Sequence, residues 1–77
     1  MKKMTLGDLE VGKSGIISGY KAGGLGFREK LLSMGLTKGV EVFVKRVAPL
    51  GDPLQVNVRD FSLSIRRDEA NLILLQD

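Results

Sequence analysis

Residues Phe27 to Pro53 read FREKLLSMGLTKGVEVFVKRVAPLGDP. A short apolar stripe, two glycine stops, a β-branched run and a proline-bracketed tip follow one another here without a gap. Phe27, Leu31, Leu32 and Met34 share one helical stripe, which predicts a helix over Phe27–Met34. Gly35 falls where a left-handed C-cap belongs, and Leu36 sits where it can fold back on Leu31. Isolated helices shorter than about 12 residues are marginal in water, so this one must dock against something. Gly39 then supplies the positive φ of a type II turn after Leu36-Thr37-Lys38.

Beyond that turn the period changes to two. Val40, Val42 and Val44 alternate with Glu41 and Phe43, but Val47 is one residue out of phase. Leu54, Val56 and Val58 alternate with Gln55 and Asn57, and after Arg59-Asp60 so do Phe61, Leu63 and Ile65 with Ser62 and Ser64. Pairing Val58 with Phe61, Val56 with Leu63 and Leu54 with Ile65 keeps one face apolar and assigns Phe61 to the core. Pairing the earlier strand onto the same partner sets Val42 against Val58, Val44 against Val56 and Val47 against Leu54. Lys45 and Arg46 must then share Gln55, which is a β-bulge, the device that bends and twists small barrels.

The flanks are simpler. Thr5 with Asp8 three residues on, and Leu6 and Leu9 at helical spacing, predict one helical turn. GIISGY predicts a first strand ending at Gly19 or Tyr20, and Lys21–Gly26 (KAGGLG) reads as a flexible loop. RRDEAN allows a helical turn before Leu72–Leu75 returns as the last strand. The sum is a mainly β chain: a small SH3-like barrel of about five strands with one or two short helices, in a single domain over residues 1–77.

A chain of 77 residues buries only about 60–65% of its unfolded surface, leaving no room for an enclosed catalytic cavity. Cysteine is absent, so the apolar core must hold the fold without disulfide or thiolate metal, as suits a reducing cytosol. No apolar run approaches the roughly 20 residues that span a bilayer, and Lys2-Lys3 lead into LGDLEVG rather than a signal-peptide core. The reading is therefore soluble, with no insertion into the membrane and with export left as an alternative. The 12 basic and 9 acidic residues are interspersed, so the net charge of +3 describes a solvated surface better than a nucleic-acid face.

Catalysis has little to work with. Histidine and cysteine are both absent, and Asp68 and Glu69 are neighbours in sequence that read as solvated charges around a helical turn. GYKAGGLGFREK lacks the GK[ST] of a phosphate loop and enters only a short helix. Without imidazole or thiolate, the thioethers of Met1, Met4 and Met34 do not make a transition-metal site, and Met34 belongs with the core stripe. The chain is expected to be no enzyme, with no cofactor and no metal.

REKLLSMGL, the spaced glycine of TKG, VKRVAPLGDPLQVNVR and LSIRRDEANLI together resemble the ferrous iron transport protein A (FeoA) family. The similarity runs from about Leu6 to Leu75, and APLGDP between two apolar strands is its strongest element. Lys38 stands where that family often has proline, and Arg59-Asp60 where a glycine often eases the hairpin. The resemblance implies an SH3-like fold and a small cytoplasmic accessory of bacterial ferrous iron uptake. Its implied partner is the cytoplasmic GTPase region of the membrane transporter FeoB, which it would bind to support or regulate Fe(II) transport.

The residues left over by folding define where such a partner would touch. Leu50 stands at the tip of a loop stiffened by Pro49 and Pro53, with Gly51 and Asp52 shaping the turn rather than contacting anything. It either presents its side chain to a partner or folds back to plug the barrel end. On the helix, Phe27, Arg28, Leu31, Leu32, Met34 and the Gly35 cap form the second part of the expected surface, with Leu31 and Leu32 divided between core and partner. Arg28, Glu29 and Lys30 line its outer side as solvated charges. The rival is an RNA-binding SH3-like module using Lys45-Arg46 and Arg66-Arg67, weakened by the few aromatics available for stacking. An uncovered strand edge would also permit a homo-oligomer.

Overall fold

The computed structural model describes residues 4–21 and 25–76, the side chains of 25–28 excepted. Five strands, β1 (Ser14–Tyr20), β2 (Glu41–Val47), β3 (Leu54–Val58), β4 (Phe61–Ile65) and β5 (Ile73–Leu75), form one antiparallel sheet in the order β4-β3-β2-β1-β5. Helix α1 spans Leu25–Ser33, a one-turn helix α2 spans Arg67–Ala70, and a 3-10 turn covers Leu6–Asp8. The architecture is the small SH3-like, mainly β fold expected.

Cross-strand counting reproduces the ladder. β3 and β4 pair with Val58 opposite Phe61, Val56 opposite Leu63 and Leu54 opposite Ile65. β2 pairs with β3 through Val42–Val58, Val44–Val56 and Val47–Leu54, with the register shift between Val44 and Arg46. Lys45 is the extra residue of the bulge, because Arg46 faces Gln55. The inward row is buried from end to end: Val42, Val44, Leu54, Val56, Val58 and Ile65 are inaccessible to solvent, and Ile17, Ile73 and Leu75 close the core from β1 and β5.

Helix α1 ends as a Schellman motif. The Leu36 N–H donates to the Leu31 carbonyl (3.1 Å), the Gly35 N–H to that of Leu32 (3.0 Å), and Gly35 takes φ +85°. Leu31 and Leu36 are both buried, so the cap is also the helix's anchor in the core. The Thr37–Val40 turn follows, with the Val40 N–H on the Thr37 carbonyl (3.1 Å) and Gly39 at φ +91° in the position a type II turn requires. At the N-terminal turn the Asp8 carboxylate accepts from the Thr5 N–H at 3.0 Å.

Several expectations need correction. The helix begins at Leu25, inside the stretch read as loop, since apolar spacing marks only the buried face and not the first turn. Of that loop, residues 22–24 lie outside the described residues. Phe61 is not in the core: it is 44% exposed, at the start of edge strand β4, with its ring tip 3.2 Å from where a Cβ on Gly35 would stand. Period-two counting assigns a face but not how far the core extends along it. The β3–β4 connection holds Arg59 at positive φ (+55°), the left-handed backbone that a glycine there would ease.

Candidate docking surface

The loop from Ala48 to Pro53 is fixed at both levels of its backbone. The Ala48 N–H donates to the Pro53 carbonyl (3.1 Å), closing the loop, and the Gly51 N–H donates to the Ala48 carbonyl (2.7 Å), closing a tight turn at its tip. Pro49 presets φ in that turn, and Gly51 leaves it at φ +84°.

Arg67, from the first position of α2, holds the loop from outside. Its Nε donates to the Gly51 carbonyl (2.7 Å), its Nη1 to the Gly7 carbonyl (2.9 Å), and its backbone N–H to Asp52 Oδ1 (2.9 Å). Asp52 therefore caps α2 from a distant loop, and Gly51 and Asp52, besides shaping the turn, tie it to α2. Within this fixed frame the Leu50 side chain is 95% exposed. Of the two alternatives for Leu50, the structure excludes the plug, because the side chain stands in solvent.

The same α2 turn holds the helix. Glu69, read as a solvated charge, is buried, with only 7% exposure. Its Oε1 accepts the Arg66 N–H (3.1 Å) and its Oε2 the Lys30 ammonium (2.5 Å). Burial opposes the charge, but the Lys30 hydrogen bond, the Arg66 N–H and the charges of Lys30 and Arg66 outweigh it and hold the carboxyl below the usual range. Lys30 is thus an ion-pair partner and not a free surface charge.

The expected surface residues therefore divide. Pro49, Leu50, Asp52 and Pro53 are exposed on the loop, and Gly51 is half-buried beneath them. On α1, Leu32 points outward at 40% exposure, whereas Leu31 is in the core at 1% and is removed from the contact set. Met34 is half-buried against the core, and Gly35 lies beside Phe61. The side chains of Phe27 and Arg28 lie outside the described residues. Among the described residues no hydrogen bond or ion pair joins α1 directly to the loop; α2 links them, through Lys30–Glu69 on one side and Arg67 on the other.

Arg67, Lys30 and Glu69 were missed because their partners lie 16 to 60 residues away. The one local signal was Glu69 three residues after the α2 N-cap, a capping box with arginine where serine or threonine is usual. Arg67's engagement also removes half of one basic pair from the RNA-binding reading. No cluster of three His, Cys, Asp or Glu side chains that could hold a metal occurs among the described residues, and no described helix is long and apolar enough to cross a membrane.

Fold and topology define a small SH3-like domain. Comparison with known proteins is specific: residues 4–77 match the FeoA domain, and the chain belongs to that family, which is implicated in ferrous iron transport. It is 34% identical over 67 residues to the Fe(2+) transport protein A/Fe(2+) transporter FeoB fusion protein of Porphyromonas gingivalis, covering 87% of this chain and 8% of the fusion. An FeoA-like protein from Clostridium acetobutylicum is 32% identical and superposes with a TM-score of 0.87, over 99% of this chain and 88% of that one. FeoA of Stenotrophomonas maltophilia, solved with zinc and described as a prokaryotic SH3 domain protein, gives a TM-score of 0.82 at 26% identity, over 95% and 89% of the two chains.

Proposed function

We propose that this chain is a cytoplasmic accessory of ferrous iron uptake that docks on the cytoplasmic GTPase region of FeoB, without catalysis of its own. The observation that carries the docking reading is Leu50, 95% exposed at the tip of a loop whose backbone is held by two internal hydrogen bonds and by Arg67. A leucine offered to water is a cost to solubility and contributes nothing to the core. A stiff presenting loop loses little entropy on binding, so burial of the side chain is realised nearly in full as affinity.

The partner follows from the relative in which an FeoA module and an FeoB transporter form one polypeptide. Such fusion supports close association of the two parts at high effective concentration. The docking surface comprises the loop tip from Pro49 to Pro53 with Leu50 at its centre, and a second part at α1 and its cap, with Leu32 exposed and with Phe27, Arg28, Met34 and Gly35 in the proposed set. Calorimetric titration against the cytoplasmic part of FeoB tests this. Burying a leucine contributes about 1.5–3 kcal/mol, so Leu50→Asp should weaken binding by roughly 10-fold to 150-fold. Leu32→Asp should weaken it too. Wild-type affinity in both variants, with folding intact, refutes the surface.

A further inference from the structure

We infer that a second copy of this chain pairs with the free edge of β4, joining two sheets across a twofold axis at Leu63. This surface is separate from the Leu50 loop and does not depend on that reading. Among the described residues β4 ends the sheet and pairs with β3 alone. The two-residue turn at Arg59-Asp60 makes Val58 and Phe61 a hydrogen-bonded pair, and alternation puts Leu63 and Ile65 in the same class. The N–H and C=O groups of Ser62 and Ser64 therefore point away from β3, and among the described residues they have no partner.

Edges are normally blunted by charge, proline, a bulge or shortness. β4 reads Phe61-Ser62-Leu63-Ser64-Ile65, without charge or proline, in unbroken register with β3 over its whole length. The other edge strand, β5, has only three residues and is partly covered, by a bridge between Leu74 and Thr5 and by the Leu75 N–H on the Met4 carbonyl. β4 is thus the unprotected edge.

Its side chains select a second copy of itself. With Leu63 on the axis, Ser62 and Ser64 of one chain become hydrogen-bonded partners of Ser64 and Ser62 of the other, satisfying all four outward N–H groups. On the inner face the second copy covers Phe61, 44% exposed, and half-buried Leu63, the latter by its equivalent, while Ile65 is already fully buried in its own core. One step beyond, Asp60 meets Arg66, both exposed and, among the described residues, neither in an ion pair. Moving the axis to Ser64 would instead set Asp60 against Asp68, and moving it to Ser62 would leave Arg66 opposite apolar Val58. The charge pattern picks the Leu63 register.

Five residues a side fall short of the ~1,000 Å² of a stable interface, so association should be weak, with a dissociation constant on the order of 10⁻⁴ M. Sedimentation velocity and amide NMR over a dilution series of the intact chain, from about 1 mM to about 20 µM, test it. Expected are dimers at the upper end, with Ser62 and Ser64 amide shifts and slowed exchange that vanish on dilution. Ser64→Pro removes only an outward N–H and should abolish the dimer. Asp60→Arg should abolish it, and Asp60→Arg combined with Arg66→Asp should restore it. A chain monomeric throughout overturns the inference. So does a dimer that survives Ser64→Pro, or one the charge swap fails to restore in a folded protein.

Discussion

Replacing Arg67 by methionine removes the guanidinium and keeps the apolar stem, which isolates what the clamp contributes. Two hydrogen bonds are lost, Nε to Gly51 (2.7 Å) and Nη1 to Gly7 (2.9 Å), while the backbone N–H stays on Asp52. A hydrogen bond from a charged donor is worth about 1.5–3 kcal/mol net when buried. Arg67, Gly51 and Gly7 are all only half-buried, and the released carbonyls can be rehydrated, so the two together come to about 1.5–3 kcal/mol. For a domain of this size each kcal/mol shifts the melting temperature by about 4–8 °C, giving a fall of roughly 6–24 °C by circular dichroism. Amide exchange at the Gly51 N–H, which closes the tip onto Ala48, should quicken beyond what global destabilisation explains, and FeoB affinity should drop although Leu50 is untouched. A melting temperature within about 2 °C of wild type would refute the clamp.

Other outcomes follow from the same contacts. Leu50→Ala should change stability by no more than about 0.5 kcal/mol in urea, since the side chain touches almost nothing, while weakening FeoB binding about tenfold or more. Glu69 has a folded-state pKa held below its unfolded one, so its stabilisation is present above the usual carboxylate range and is lost as pH falls through the lowered value. Wild type should exceed Glu69→Gln at pH near 7 in urea unfolding, with the gap shrinking as the solution is acidified. Gly35→Ala meets both a left-handed φ of +85° and the Phe61 ring at 3.2 Å, and should cost about 1–2 kcal/mol by the same measurement.

What could be read in advance was whatever a local period encodes. Valines and leucines two apart, in three consecutive segments, allow one register that keeps them together, and the odd residue before Val47 had to become a bulge. The glycines after α1 were legible because left-handed backbone is costly for any other residue. Phe61 escaped because alternation carries no information about where the sheet runs past its core. Lys30, Arg67 and Glu69 escaped because an ionic side chain has no period: its role depends on which distant loop arrives beside it. The direction of Leu50 was undecidable for the same reason, being set in a loop clamped by Arg67, 16 residues beyond Gly51.

The bulge at Lys45 also makes the β2–β4 ladder unequal in what it can survive. Anywhere along β3 or β4, loss of a single residue exchanges inside for outside for everything beyond it. Loss of Lys45 would leave Val44 and Val47 two apart, in plain alternation and still facing inward. Within these three strands, the Lys45-Arg46 pair is where the chain can shorten by one residue in its descent and keep the same interior, giving up only the extra twist.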